Sequence, residues 1–355
     1  MIETLSEAFI AKALQLAAKK RQPAQGTFEL TSRCNLFCPM CYIREPAGNK
    51  TIASKELSAS SWLKLAREAV DHGMVFLLLT GGEVFLRRDF FEIYGPLTHM
   101  GLVISLYTNG TLISKEIAKR LAEAPPSSTD VTLYGATATT FETVTGVKGS
   151  FAACCAGIEA LLSHKIPLHL KTTITRHNVH ELKAMYQMAQ SWGVSFSAGW
   201  ILSKRHDGSR SDVEDCRLSA VESVDLEALD RAFAHDVSEP VYKRNINRND
   251  NFLCHSGKSA FLVNSMGEMN ACQLIPQPKA RPLERGFLEA WKEVQQYVDS
   301  SPSIAASECG TCDVFEYCKR CPAWSMSETH TLNKPVPYLC EIAKIRKERY
   351  EKPAP

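Results

Sequence analysis

Three cysteines stand in the run TSRCNLFCPMCY at Cys34, Cys38 and Cys41, a C-x3-C-x2-C spacing that puts three thiols on one short loop. Thiolates are the usual ligands of iron-sulfur clusters, and three on one loop can wrap one cluster face while leaving one iron without a protein ligand. That open iron is a binding position for another molecule. A structural zinc site wants four ligands, and no fourth Cys or His lies close by in sequence to complete one. Pro39 and the tight spacing suit a loop rather than three cysteines on a packed face.

Two more cysteine groups follow. Cys254 and Cys272 frame CHSGKSAFLVNSMGEMNAC, in which SAFLV, the turn NSMG and the return EMNAC predict a hairpin that brings both thiols to its base. Further on, CGTCDVFEYCKRC sets Cys309, Cys312, Cys318 and Cys321 in C-x2-C-x5-C-x2-C, and Cys340 comes last. Such spacing signals metal, with tetrahedral zinc the alternative for the four-thiol run. Thirteen cysteines cannot all pair, and ten of them fall into these clusters. Cys154 and Cys155, in AACCAGIEALL, are predicted as ordinary buried residues of a helix.

The elements that must position these groups read as parallel strands joined by helical crossovers. Strands are predicted over Thr27 to Thr31, Val75 to Thr80, Val103 to Thr108, Asp130 to Tyr134, Leu168 to Thr173 and Ser195 to Ile201. Helices are predicted near 60 to 72, 89 to 100, 115 to 123, 150 to 164, 179 to 192 and 222 to 235. Six β/α units are too few for a closed eight-stranded barrel, so an α/β fold with a curved, partly open barrel is expected, its loops at the strand C-terminal ends. The polar stretch KRHDGSRSDVEDCR, 204 to 217, reads as a long loop beside the mouth. Beyond residue 250 the composition turns to Cys, Gly, Pro and short elements, the mark of a small, loop-rich second domain held by metal. The expected division is an N-terminal helix over 1–25, with Ile2, Leu5, Phe9, Ile10, Ala13 and Leu14 at helical spacing, a barrel over 26–236 and the cysteine-rich domain over 237–355.

The first array, followed by the aromatic Tyr42, resembles that of the radical S-adenosylmethionine (SAM) superfamily. The resemblance implies that Cys34, Cys38 and Cys41 hold a [4Fe-4S] cluster whose open iron chelates the amino and carboxylate groups of SAM. Reductive cleavage of SAM then gives methionine and a 5'-deoxyadenosyl radical, chemistry that belongs to the cofactor while the protein positions it. After VFLLL, Thr80-Gly81-Gly82-Glu83 resembles the family's GGE motif, in which the glycines let the backbone approach the methionine moiety and Glu83 accepts from its ammonium. A simple Gly-Gly turn is the structural alternative. Strand three ends SLYTNG, where Ser105, Thr108 and Asn109 suit ribose or carboxylate recognition, although Asn-Gly is also a common turn pair. In VTLYGA, Thr132 is the expected inward side chain; a buried Lys171 would need a carboxylate partner and is a candidate contact to SAM or substrate.

The tail is similar to a SPASM domain, the auxiliary-cluster module of many peptide-modifying radical SAM enzymes: two hairpin cysteines with Gly267 five residues before the second, then the four-cysteine run, then one more. The resemblance implies two auxiliary [4Fe-4S] clusters, three in all, one closed by Cys309, Cys312, Cys318 and Cys340 and one held by Cys254, Cys272 and Cys321. The fourth position of the latter is open, filled by Cys216, or taken by a substrate thiolate. Only Lys319 and Arg320 separate the last two cysteines of the run, where members commonly have three residues.

Taken together, the resemblance implies a partial (β/α)6 radical SAM barrel with a small, loop-rich C-terminal SPASM domain. The expected function is abstraction of hydrogen from a ribosomal precursor peptide and installation of a thioether or carbon-carbon crosslink. An external electron donor of flavodoxin or ferredoxin type is implied, and a separate leader-recognition protein or direct leader binding by the barrel and first helix. One alternative is a radical SAM dehydrogenase acting on a protein side chain, as in sulfatase maturases, or on a small alcohol; the Arg usual in that branch is missing from FETVTGVKGSF. Another is a non-catalytic iron-sulfur or zinc protein. The formal net charge of +2 with scattered Lys and Arg gives no footprint for nucleic acid or an anionic membrane. No signal peptide or membrane-length apolar run is read, so the expected location is the cytoplasm. Neither a Ser/His/Asp nor an H-E-x-x-H arrangement is evident.

Overall fold

A computed structural model of the 355-residue chain describes residues 7–200, 202–204, 213–233 and 247–351. Ile2 and Leu5 of the first helix, Ile201, most of the polar stretch 204 to 217 and the boundary at 236 lie outside the described residues.

Six strands run in chain order and pair in parallel: β1 Gln25–Glu29, β2 Phe76–Thr80, β3 Val103–Thr108, β4 Ser128–Thr132, β5 Leu168–Thr173 and β6 Ser195–Gly199. Each lies within two residues of its expected start. Alternation explains why: Phe28, Leu77, Leu79, Ile104, Leu106, Val131 and Leu170 join one apolar core, so the intervening side chains face the other side of the sheet. Those include Glu29, Leu78, Tyr107, Asp130 and Lys171, and they set the chemistry inside the curve.

The first helix is α1 Glu7–Lys20. The crossovers are α2 Ala59–Asp71, α3 Phe90–Thr98, α4 Lys115–Glu123, α5 Ala138–Thr145, α6 Ser150–Ser163, α7 Leu182–Ser191 and α8 Ala220–Phe233. Ser58, Ser114 and Thr137 cap α2, α4 and α5 by accepting the backbone N–H groups of Ser61, Ile117 and Thr140. Helix α5 has no counterpart in the expected elements. Its sequence ATTFETVT is rich in residues of low helix propensity, and its structure depends on the Thr137 cap, a left-handed Gly146 at its end and the Glu181 carboxylate. Val213–Cys216 is helical, so the end of the expected long loop is an ordered turn.

The hairpin of β7 Ala260–Val263 and β8 Met269–Cys272 forms as expected, and β9 Ile275–Ala280 extends it. Asn264 accepts from the Met266 and Glu268 backbone, and Gly267 supplies the turn's φ of +80°. Strand β7 pairs in parallel with β1, from Gln25 against Ala260 to Phe28 against Val263, which only the three-dimensional fold reveals. One nine-stranded sheet results, in the order β9-β8-β7-β1-β2-β3-β4-β5-β6. The tail also carries helices α9 Phe287–Asp299, α10 Pro322–Thr329 and α11 Pro337–Tyr350. Helix α9 buries Phe287, Ala290, Trp291, Val294 and Val298, an amphipathic stripe that docks on the hairpin. Buried ion pairs of Glu227 with Arg346 and Arg217 with Glu328 join α8 to α11 and the barrel's last crossover to α10. Among the described residues, no single helix is long and apolar enough to cross a membrane.

Candidate active site

The loop after β1 carries Cys34, Cys38 and Cys41. Its start is fixed by charge: Arg33 grips the Glu56 carboxylate through Nε and Nη2, both at 2.9 Å, while the Thr31 hydroxyl donates to the same carboxylate and Arg87 lies 3.6 Å from it. Farther along, the Arg44 guanidinium donates to the Phe37 carbonyl at 2.6 Å. Cys34 and Cys38 are buried with Leu36 and Met40. Burial pushes the Cys34 thiol up to about 11 and the Cys38 thiol further, with neighbouring thiols adding repulsion. Leu36 N–H and the Asn109 amide offset part of this at Cys34, and the Tyr134 hydroxyl does so at Cys38.

Strand β2 ends at Gly81-Gly82-Glu83, which packs directly on the chain entering that loop. Gly82 N–H donates to the Thr31 carbonyl at 2.6 Å and Glu83 N–H to the Arg33 carbonyl at 2.9 Å. A Cβ on Gly81 would meet the Thr31 oxygen at 2.4 Å, and one on Gly82 the Arg33 oxygen at 2.2 Å. Both glycines are therefore required for backbone packing, and both also line the cavity described below. The Glu83 carboxylate, fully buried, accepts from Thr108, Asn109 N–H and Phe85 N–H, and burial raises its pKa against those hydrogen bonds.

A cavity of about 620 Å³ opens where these strand ends converge. Cys34, Cys38, Cys41, Tyr42, Gly81, Gly82, Thr108, Asn109, Thr132 and Lys171 line it; Glu83 lies behind its wall, and Ser105 sits lower on β3, opposite Leu78 and Ser128. Thr173, Leu202 and Ser203 add to the barrel side. Gln273, Leu274, Lys319, Cys321 and Trp324 close it from the tail.

A model of the radical SAM superfamily matches residues 28–189, which contain this loop and the strand ends facing it. Residues 28–189 form a radical SAM domain. It is 26% identical to the AdoMet-dependent heme synthase of Methanosarcina barkeri over 91% of this chain and 98% of that protein. It is 27% identical to the mycofactocin maturase MftC of Mycobacterium ulcerans over 82% of this chain and 81% of that one. In fold it is similar to Streptococcus suis SuiB, solved with S-adenosylmethionine and with precursor peptide SuiA; the latter structure has a TM-score of 0.67 at 14% identity, over 93% of this chain and 80% of SuiB.

Radical SAM enzymes use a [4Fe-4S] cluster and SAM, and the loop suits the cluster. Three thiols share one wall of a cavity, and burial makes ionisation of Cys34 and Cys38 costly unless a cation offsets it. The radical SAM barrel also holds residues that motif reading missed. Asn35 accepts from the Asn109 amide at 3.0 Å and donates to the Thr111 hydroxyl at 2.8 Å, joining the cysteine loop to the end of β3. Asn35, which follows Cys34 directly, was the available signal. Lys171 lies 3.8 Å from Asp130 and over the Tyr107 ring, which supplies the carboxylate partner that its burial requires. Burial lowers the ammonium to about 7 despite Asp130. Glu29, also on the inner face, has a buried carboxylate raised to about 7 by desolvation.

In the tail, Cys272 feels the charges of Cys321 and Cys254, and burial raises it to about 12. Cys318, likewise raised to about 12 by burial, feels Cys340, Cys309 and Cys312. The ligand sets expected from the sequence draw on these same neighbours. Among the described residues, no three side chains come together as ligands of a single metal ion, so the sets are groupings rather than closed coordination shells. Cys216 is buried in the apolar cluster of Cys34, Leu36 and Cys38, beside the N-terminal loop. Cys154 is buried in α6 and Cys155 half-buried.

Proposed function

We propose that the chain matures a ribosomally made peptide, taking hydrogen from a C–H bond and installing a thioether or carbon-carbon crosslink. The observation that carries the reading is the shared chamber: Cys34, Cys38 and Cys41 line one wall and Cys321 of the tail lines another. A substrate seated there touches both the radical-forming loop and a candidate auxiliary site. The fold likeness to SuiB, solved with its precursor peptide, supports the same reading.

When bound, the cluster and SAM supply a carbon-centred radical able to abstract hydrogen. Cys34, Cys38 and Cys41 are the proposed ligands, and Gly81, Gly82, Thr108, Asn109 and Thr132 form the wall against which SAM lies. Glu83 holds the ends of β2 and β3 together beneath that wall. Tyr134 and Asn109 orient the thiols through the hydrogen bonds described above. Auxiliary clusters on Cys309, Cys312, Cys318 and Cys340 and on Cys254, Cys272 and Cys321 would accept the remaining electron, making three [4Fe-4S] clusters. The packing of Cys216 beside the N-terminal loop leaves an open position or a substrate thiolate as the fourth ligand we favour for the second. An external flavodoxin- or ferredoxin-type donor and a separate leader-recognition protein complete the proposal. So do the division at 1–25, 26–236 and 237–355 and a reducing, cytoplasmic setting for thirteen free cysteines.

The test is anaerobic incubation of the cluster-loaded protein with SAM, reductant and the small peptide encoded beside its gene. Loss of two hydrogens per crosslink is expected; SAM cleavage with an unmodified peptide defeats the reading.

One observation favours a second reading, a step of heme synthesis on an iron porphyrin: the heme synthase match spans nearly the whole of both chains, and another relative, from Methanosarcina barkeri, is named Fe-coproporphyrin III synthase. A changed mass for iron coproporphyrin III in the same assay, with the peptide untouched, selects it.

A further inference from the structure

The cavity carries a charge asymmetry that the proposed peptide chemistry does not by itself explain. Among the described lining residues, Lys171 and Lys319 are the cationic side chains, and no Asp or Glu is present. Lys171 projects from β5 on the barrel side and Lys319 from the tail, so the two flank the chamber. The ammonium of Lys171 carries three N–H donors and meets one carboxylate, Asp130, and the Tyr107 ring. Its carboxylate neighbour, Asp130, is at 3.8 Å, beyond hydrogen-bond length, and one Asp130 oxygen already accepts from the Ser128 hydroxyl at 2.7 Å. The Tyr107 ring offers the ammonium a π-face rather than an oxygen acceptor.

Lys171 pairs in register with Thr132 on the barrel wall, whereas Lys319 lines the chamber from the tail, where none of the residues assigned to SAM lies.

We infer that Lys171, with Asp130 and Tyr107 behind it, forms a subsite for a carboxylate of the substrate, and that Lys319 adds attraction from the opposite wall. The subsite deepens the proposed function, on which it rests, by giving the substrate class an acidic group. Peptide and porphyrin acids share this chemistry.

Proton linkage follows. Burial leaves Lys171 near half-charged at about pH 7, against Asp130 on β4, Tyr107 on β3, His169 on its own strand and Lys319 across the chamber. An arriving carboxylate favours the charged form, so binding takes up protons and tightens as pH falls through this range.

The experiment titrates cluster-loaded protein with SAM against two probes, the peptide encoded beside the gene and iron coproporphyrin III, each as free acid and as full methyl ester. The wild type is expected to prefer the acid of one probe by about ten- to a hundredfold, the range of a charge-assisted hydrogen bond. Lys171→Met should abolish that preference, and Lys171→Arg, which keeps the charge, should restore most of it. SAM affinity and iron content serve as controls for folding. Calorimetry in buffers of different ionisation heat should show uptake of a fraction of a proton per acid bound, lost in Lys171→Met. The probe whose acid is preferred names the source. Equal binding of acid and ester by the wild type overturns the subsite while leaving the peptide reading intact, as does a Lys171→Met variant that loses SAM instead of the acid preference. Failure to bind either acid overturns it as well. A peptide acid that binds through Lys171 and is never modified defeats the proposed function and leaves the subsite standing.

Discussion

Thr108 donates its hydroxyl to both oxygens of the Glu83 carboxylate, at 2.8 and 3.0 Å, and so ties the end of β3 to the Gly-Gly-Glu turn after β2. Asn109 N–H at 2.7 Å and Phe85 N–H at 3.2 Å complete the acceptor set. Two adjacent strand ends are thereby held in register where the cysteine loop lands on them.

Replacing Glu83 with Gln presents an amide N–H₂ to donors that need an acceptor. Loss of about 1–3 kcal/mol is expected for the unsatisfied groups, read as a lower denaturation midpoint at unchanged slope. Thr108→Val should cost less, because Glu83 keeps its two backbone donors. Equal midpoints for Glu83→Gln and wild type would refute this account.

Gly82→Ala forces a Cβ to within 2.2 Å of the Arg33 carbonyl, and neither backbone can yield without moving Cys34. We expect at least about 1–3 kcal/mol of destabilisation and a changed electron paramagnetic resonance signal of the reduced N-terminal cluster. Gly48→Ala, where a Cβ meets nothing within 4 Å, is the control.

Glu29 gives a pH signature. Burial raises its folded-state pKa from 4.5 to about 7, so the folded protein holds the proton more tightly than the unfolded chain. The sign follows: the favourable contribution is whole below about pH 4.5 and is lost as pH rises through 7. Glu29→Gln should therefore gain roughly 2–4 kcal/mol over wild type at pH 8, and the gain should shrink toward pH 5. Denaturant melts of both proteins at the two pH values decide it.

The cysteine groupings separate by iron content. On the proposal of three clusters, replacing Cys34, Cys38 and Cys41 with Ala should remove about a third of the bound iron and abolish SAM cleavage. Replacing Cys309, Cys312, Cys318 and Cys340 should remove a similar amount, yet leave SAM cleavage without substrate measurable. Zinc recovered in place of iron from the second set would contradict its assignment as a cluster site.

Cysteine spacing and strand periodicity were local signals, and they were readable as such. The C-x3-C-x2-C array, the six barrel strands as single elements and the hairpin between Cys254 and Cys272 each depend on residues near in sequence, with hydrophobic alternation marking one face of each strand as apolar. Helix α5 escaped because its Thr-rich sequence is weak by propensity and is rescued by Glu181, some forty residues on. Helix α9 has no counterpart in the expected elements, although its apolar stripe of Phe287, Ala290, Trp291, Val294 and Val298 is a local pattern.

By itself the sequence determined the thiol groups, the strand order of the barrel and the glycine turn that follows β2. Only the tertiary structure decided that β7 pairs with β1, that Cys321 shares a chamber with the first three cysteines, and that Lys171 meets Asp130 across neighbouring strands. The reason is range. Periodicity and capping act within a few residues, whereas strand pairing, desolvation and charge act through space between segments whose separation along the chain carries no trace of their meeting.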